Sequence, residues 1–187
     1  MCGRYYVDDE TSREIRKILE QIDAKYENNN RKSGEIYPTN TVPILAAYHQ
    51  TIEPELSIWG FPSYYNKGVL INARAETSLE KKTFRESILS RRCAIPSNGF
   101  YEWDSNKQKF FFKQKESEIL YMAGCYNYYQ NESRFVILTT AANESMESTH
   151  NRMPIILSAE EIEQWILDDN STSRLLRQVP PLLTRTA

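Results

Sequence analysis

Arg92-Cys93-Ala94-Ile95-Pro96, followed by Gly99-Phe100-Tyr101-Glu102-Trp103, opens the part of the chain that decides the fold. Residues 92–95 and 99–103 are the first of five strand-forming runs, continued at 109–113, 119–123 and 134–139. Asp104-Ser105-Asn106-Lys107 makes the turn between two of them. Toward the N-terminus, residues 41–48 and 53–59 read as strands, the second alternating through Leu56 and Ile58, and 69–72 as a short buried strand. A helical stretch over 77–89 opens with a Thr-x-x-Glu signature, Thr77 to Glu80. Residues 11–26 place Ile15, Ile18, Leu19, Ile22 and Tyr26 at helical spacing behind the capping-box signature Thr11-Ser12-Arg13-Glu14. That apolar stripe belongs to the core. Residues 28–34 are a polar, turn-forming loop.

Toward the C-terminus, a helix over 158–167 is capped by Ser158 and Glu161 and turns Ile162, Trp165 and Ile166 inward. A last short helix near 171–178 ends at Pro180-Pro181. Strand runs in series with helices at intervals predict an α+β fold, mostly antiparallel, as one domain over 1–187. No internal repeat, low-complexity tract or linker interrupts it.

The chain of 187 residues is 40% hydrophobic and 26% charged, which places it among soluble globular proteins with a core of their own. No stretch approaches the ~18 apolar residues of a membrane span, and no basic segment followed by an apolar one opens the chain. Neither a membrane association nor a secretory signal is therefore expected. The three cysteines, Cys2, Cys93 and Cys125, are odd in number and lack metal-ligand spacing. With only His49 and His150 beside them, no metal site is expected. Cys93 and Cys125 stand in apolar surroundings and read as buried free thiols of a reducing, cytoplasmic compartment. The net charge of −2 and pI near 5.8 argue against coating nucleic acid by bulk charge. Phosphate binding has to rest on a few placed arginines.

Four polar positions stand out. Cys2 follows the initiator methionine, whose removal exposes an α-amine and a thiol on one residue. Both groups are partly deprotonated near neutrality. Such an aminothiol can act as an N-terminal nucleophile, or condense with an aldehyde to an imine and then a thiazolidine ring. Asn72 and Arg74, two apart on a strand, point the same way and suit a polar ligand with its phosphate, or simply a strand-to-helix junction. Glu102, flanked by aromatics, is either a desolvated proton shuttle or a solvent-facing carboxylate on an alternating strand. His150, in Ser148-Thr149-His150-Asn151-Arg152-Met153-Pro154, is the natural acid–base group, although loop histidines are usually just solvated. The stretch 139–143 could wall a pocket, and Trp59 before Gly60 could stack on a base or lie in the core.

The order of these segments carries more than any one of them. Met1-Cys2-Gly3-Arg4, Trp59-Gly60, Ile71-Asn72-Ala73-Arg74-Ala75-Glu76-Thr77, the 92–103 stretch, 139–143 and His150-Asn151-Arg152-Met153-Pro154 together closely resemble the SRAP family of abasic-site processing proteins. The resemblance covers about 1–157, with helices at 158–187 beyond it. It implies a compact α+β domain with curved, barrel-like antiparallel sheets around a groove for single-stranded DNA, working without metal or cofactor. It places catalytic roles on Cys2, Asn72, Glu102 and His150, and strand contacts on Arg4, Arg74, Trp59, Trp103 and Arg152.

This chain departs from the family at Asn151, where many members carry Asp, and at Tyr37-Pro38-Thr39-Asn40. It is also expected to lack the further strand that many members add after the last helix. The implied partner is single-stranded DNA containing abasic sites, met by a monomer that needs no protein partner and is nucleoid-associated once crosslinked. Two other classes share the same start: a thiol hydrolase, as autopeptidase or glutamine amidotransferase, and a non-covalent binder of single-stranded or modified DNA.

Overall fold

The computed structural model describes residues 3–63 and 67–187. The N-terminal half runs β1 (Arg4–Val7), α1 (Arg13–Lys25), β2 (Gly34–Ile36), β3 (Thr41–Tyr48), β4 (Thr51–Trp59), β5 (Phe61–Pro62), β6 (Val69–Leu70) and β7 (Asn72–Arg74). Helices α2 (Ala75–Ser78) and α3 (Lys82–Ser90) lead into β8 (Arg92–Ser97), β9 (Gly99–Trp103), β10 (Lys109–Lys113), β11 (Leu120–Tyr129) and β12 (Glu132–Ala141). The chain then passes through β13 (Arg152–Pro154), β14 (Ile156–Leu157), α4 (Ala159–Leu167), α5 (Thr172–Leu175) and β15 (Thr184–Thr186).

The long strand β12 organises the molecule. Its first half closes a five-stranded barrel, β12-β4-β3-β8-β11, with β4 parallel on one edge and β11 antiparallel on the other. Its second half carries β7, parallel, on the β4 edge and β13, antiparallel, on the β11 edge. A barrel this small is filled by its own side chains. Val42, Ile44, Trp59, Cys93, Ile95, Met122, Phe135 and Ile137 form one buried cluster, while Ala94, Ala123, Cys125, Val136 and Leu138 form another with Phe84 of α3 and Trp165 of α4. All six residues of β8 are buried, and the four between Arg92 and Ser97 are apolar, as suits a strand covered on both faces.

An antiparallel sheet, β15-β10-β9-β1-β2, lays Tyr5, Val7, Ile36, Phe100 and Phe112 on the first of these clusters beside Ile15, Ile18 and Leu19 of α1. Its two edge strands have only three residues each and rely on what they bury. Ile36 in β2 and Leu183 beside β15 do this work, at about 1.5–3 kcal/mol for a fully buried side chain. Gly60 turns β4 into β5 at φ +114°, where an added Cβ would lie 2.7 Å from Val69.

The strands read at 41–48, 99–103 and 109–113 have those bounds, and β11 and β12 are longer than the runs read for them. Ser158 and Glu161 form the reciprocal capping box expected of α4. Elsewhere local interactions overrule the reading. Ser12, not Thr11, caps α1 by accepting from the Ile15 N–H, while Thr11 donates to Asp8 and Glu14 accepts from Tyr121. The helix expected over 77–89 is split: Ser78 turns its hydroxyl back on the Ala75 carbonyl, and Lys81 is extended before α3 begins. The strand expected over 69–72 is also two, since β6 pairs with β5, leaves Leu70 exposed, and breaks at Ile71. Finally, a strand does follow the last helix. β15 pairs along β10, so the expectation that this chain lacks it is overturned.

Arg92 joins the helical layer to the barrel. Its side chain, 4% exposed, donates to the carbonyls of Ile88 (3.0 Å) and Leu89 (3.1 Å) near the end of α3 and of Trp165 and Ile166 near the end of α4. Asp169 completes the set at 2.7 Å. One guanidinium thus satisfies the free carbonyl ends of two helices.

Candidate active site

Asn72 and Arg74 lie on β7, opposite Ile137 and Thr139 of β12. Arg74 is exposed and Asn72 half-buried. The strand-and-junction placement expected of the pair therefore holds. Trp59, by contrast, is fully buried and has no face to offer a base. It braces the site from beneath: its ring lies 11° from the plane of Phe135, its indole N–H donates to the Ile71 carbonyl (3.0 Å), and Tyr5 packs on it at 5.1 Å. The residue before Asn72 and the first strand of the chain are thus held by one side chain.

That first strand runs antiparallel to β9, with Arg4 opposite Tyr101 and Tyr5 opposite Phe100. Gly3 therefore leads into β1 from the side of Glu102. Glu102 is 4% exposed and shares the inward face with Phe100, opposite Phe110. Burial excludes the solvent-facing reading of this carboxyl. Cys2, which precedes Gly3, lies outside the described residues.

His150 ends a tight loop after β12. Its N–H donates to the Met146 carbonyl (3.0 Å), and its Nδ1 accepts from the Arg152 N–H (3.0 Å). The same Nδ1 lies 3.3 Å from the Arg152 carbonyl, so the Arg152 backbone holds this edge of the ring in either tautomer. The stretch 139–143 builds this loop rather than a simple wall. Asn143 accepts from the Ser145 N–H (3.0 Å) and hydroxyl (2.6 Å), and donates to the carbonyls of Pro180 (2.8 Å) and Pro181 (3.1 Å).

Arg152, expected to touch the DNA strand, is committed internally. Its side chain is 12% exposed and makes two hydrogen bonds to Glu76 (2.6 and 2.9 Å) and one to the Thr139 carbonyl (2.6 Å). The Arg152 guanidinium beside Glu76 holds that carboxyl below the usual range. The ion pair ties the segment after Asn72 to the segment after His150, across β12.

Arg4 and Trp103 occupy the other face of the five-stranded sheet from Glu102, by strand alternation. There the Arg4 guanidinium lies 4.2 Å from the Tyr37 ring and 5.1 Å from Trp103, and the Lys109 ammonium lies 3.8 Å from the Tyr101 ring. Glu35 bridges both cations, pairing with Arg4 at 3.1 Å and with Lys109, and accepts from the Tyr37 hydroxyl at 3.0 Å. Alternating cations and aromatics are the surface chemistry of single-strand binding. Tyr37, Tyr101 and Lys109 were given no binding role from the sequence, because only register brings them beside Arg4. The alternation of Tyr101 with Glu102 was the available signal.

Among the described residues, no helix is long and apolar enough to cross a membrane, and no three His, Cys, Asp or Glu side chains gather as metal ligands. Cys93 and Cys125 are buried free thiols, and burial pushes both well up from the ordinary thiol range.

The chain is 37% identical over 199 residues to the abasic site processing protein YoqW of Bacillus subtilis, covering 96% of this chain and 86% of that one. It is 25% identical to the abasic site processing protein YedK of Escherichia coli, over 91% of this chain and 82% of that one. The fold resembles that of a solved protein from Bacteroides thetaiotaomicron, with a TM-score of 0.80, 22% identity, and coverage of 98% and 90%. A phage-related protein from Bordetella bronchiseptica gives a TM-score of 0.74 at 19% identity, covering 99% and 93%. The model of the family described as SOS response associated peptidase (SRAP) matches residues 1–185, into β15 and beyond the 1–157 span of the motifs. The chain belongs to the SRAP family.

Proposed function

We propose that this protein processes abasic sites in single-stranded DNA by joining itself to them through Cys2 once Met1 has been removed. Relatives named for abasic-site processing support the substrate. The observation that carries the chemistry is the path of contacts around β1. The strand that follows Cys2 pairs beside Glu102 on one side, and through Tyr5 and Trp59 reaches the residue before Asn72 on the other.

An abasic sugar is mostly a closed hemiacetal with a little open aldehyde. His150 promotes opening by proton transfer at the ring oxygen. The Cys2 amine then adds to C1′, and the carbinolamine loses water to give an imine, with Glu102 carrying the protons. The thiol adds across the C=N bond: sulfur bonds to carbon, its proton passes to nitrogen, and a thiazolidine closes with no redox change. Asn72 orients the amine or the sugar. Arg74 on one side and the Arg4–Trp103 face on the other hold the flanking strand without reading its sequence. An imine that lingers before closure permits strand cleavage as a side reaction. A stacked duplex hides the sugar, so the preference is for single strands.

Denaturing electrophoresis of the protein with an abasic single-stranded oligonucleotide tests this. Wild type forms a shifted band; Cys2→Ala and protein retaining Met1 do not. An undiminished band from either variant refutes the thiazolidine route. Tight binding of intact single strands with no band supports the non-covalent binder, and release of a leader peptide or ammonia from glutamine supports the thiol hydrolase.

A further inference from the structure

Strand β15 does more than extend the sheet. Arg185 faces the same side as Phe112, its register partner, and therefore the same side as Glu102. Its guanidinium lies 4.7 Å from the ring of Phe110, the residue opposite Glu102. The same guanidinium donates to the hydroxyls of Ser148 and Thr149, both at 3.2 Å, immediately before His150. Thr149 is buried although Arg185 itself is exposed. The rest of the segment is stitched to the same loop. The Leu183 N–H donates to the Ser145 hydroxyl (3.1 Å), and Asn143 holds the Pro180 and Pro181 carbonyls.

We infer that Arg185 is a positioning residue, which sets His150 against the Glu102 sheet for the opening of the abasic sugar. The physical case is one of reach. His150 belongs to the barrel through β12, whereas Glu102 belongs to the five-stranded sheet. Two groups handing protons to one sugar must share a geometry to within a fraction of an ångström, although nothing in either sheet alone fixes their separation. Arg185 spans the two, with its Nη1 on both loop hydroxyls and its π-face on Phe110. A lysine could keep the charge and the hydroxyl contacts, not the planar face on Phe110. Nothing in this role requires Arg185 to touch DNA.

The inference rests on the proposed adduct chemistry, so its test separates the two. Arg185→Met, Arg185→Lys and wild type are compared on an abasic oligonucleotide, and on one carrying an acyclic aldehyde that has no ring to open. On the cyclic sugar, Arg185→Met slows adduct formation about tenfold, with Arg185→Lys between it and wild type. On the acyclic aldehyde all three proteins react alike. Intact-strand affinity and thermal unfolding of the methionine variant stay close to wild type, and Asn143→Ala, which loosens the same loop from the other end, repeats the pattern. Equal slowing on both substrates, or no slowing on the cyclic one, overturns the positioning role while leaving the adduct chemistry standing. Failure of wild type on both substrates overturns the proposed function, and the positioning role with it.

Discussion

Replacing Glu35 by Gln tests the outer face of the five-stranded sheet as part of the DNA path. Glu35 sits between Arg4 and Lys109, with side chains 31%, 26% and 35% exposed. Two positive charges there carry a net charge of one, because the carboxylate stands where a phosphate would. Its bond to Lys109, helped by Tyr37 and Arg4, holds its pKa below the ordinary carboxylate range, so it is ionised at neutral pH. A phosphate about 6 Å from that carboxylate is repelled by about 0.7 kcal/mol in a water-like medium. Screening over such a distance is incomplete at moderate salt. Removing the charge therefore tightens the binding of an intact single-stranded oligonucleotide by up to about threefold. It steepens the slope of log affinity against log salt by about 0.7, one further phosphate contact on a single strand. Stability changes by no more than about 1 kcal/mol, as for other exposed ion pairs. Fluorescence anisotropy across a salt titration measures both numbers. Affinity that is unchanged or weaker, with an unaltered slope, means that the strand does not cross this face, and the role given to Arg4 and Trp103 falls with it.

Arg92→Met strips four helix-end carbonyls of their donor and costs about 3 kcal/mol, which lowers the melting temperature by about 6–12 °C for a chain of this size; calorimetry decides. Trp59→Phe keeps the ring but leaves the Ile71 carbonyl without its indole donor, at about 1–3 kcal/mol, and slows adduct formation at temperatures where the protein is still folded. Ser158→Ala removes the α4 cap and costs about 1 kcal/mol in denaturant unfolding, with no effect on adduct yield. Glu76 has a lowered folded-state pKa, chiefly through Arg152. The pair therefore contributes fully above the ordinary carboxylate pKa and is lost as pH falls through the lowered one. At half exposure it is worth no more than about 1 kcal/mol. Protection factors against hydrogen exchange over residues 139–152 fall on acidification, and Glu76→Gln reproduces that fall at neutral pH.

The legible parts of this protein are those whose cause is local. The stripe of α1 and the Ser158–Glu161 box of α4 are written within a few residues, because a helix satisfies its hydrogen bonds internally and presents one face. Strands β3, β9 and β10 carried enough strand-forming residues to be read to their ends. The start of β8 was read from Arg92, while its burial on both faces came only from the packed barrel. The candidate residues Cys2, Asn72, Glu102 and His150 were legible only as a set in order, since each has an ordinary explanation when taken singly.

What tertiary structure alone decided is non-local. Strands β1, β2 and β15 are three or four residues long, below any periodicity, and exist because a neighbour offers a hydrogen-bonding edge and an apolar floor. That Trp59 lies in the core and that Arg152 pairs with Glu76 came only from the packed chain, because burial and a carboxylate partner cannot be read from their neighbours in sequence. The gathering of Glu35, Tyr37, Lys109 and Arg4 on one face, and of Arg185 with Thr149 and Phe110, depends on the register of paired strands. Register is set by the whole sheet. Sequence could therefore nominate a family and candidate residues, while only the packed chain could say which side chains lie against one another.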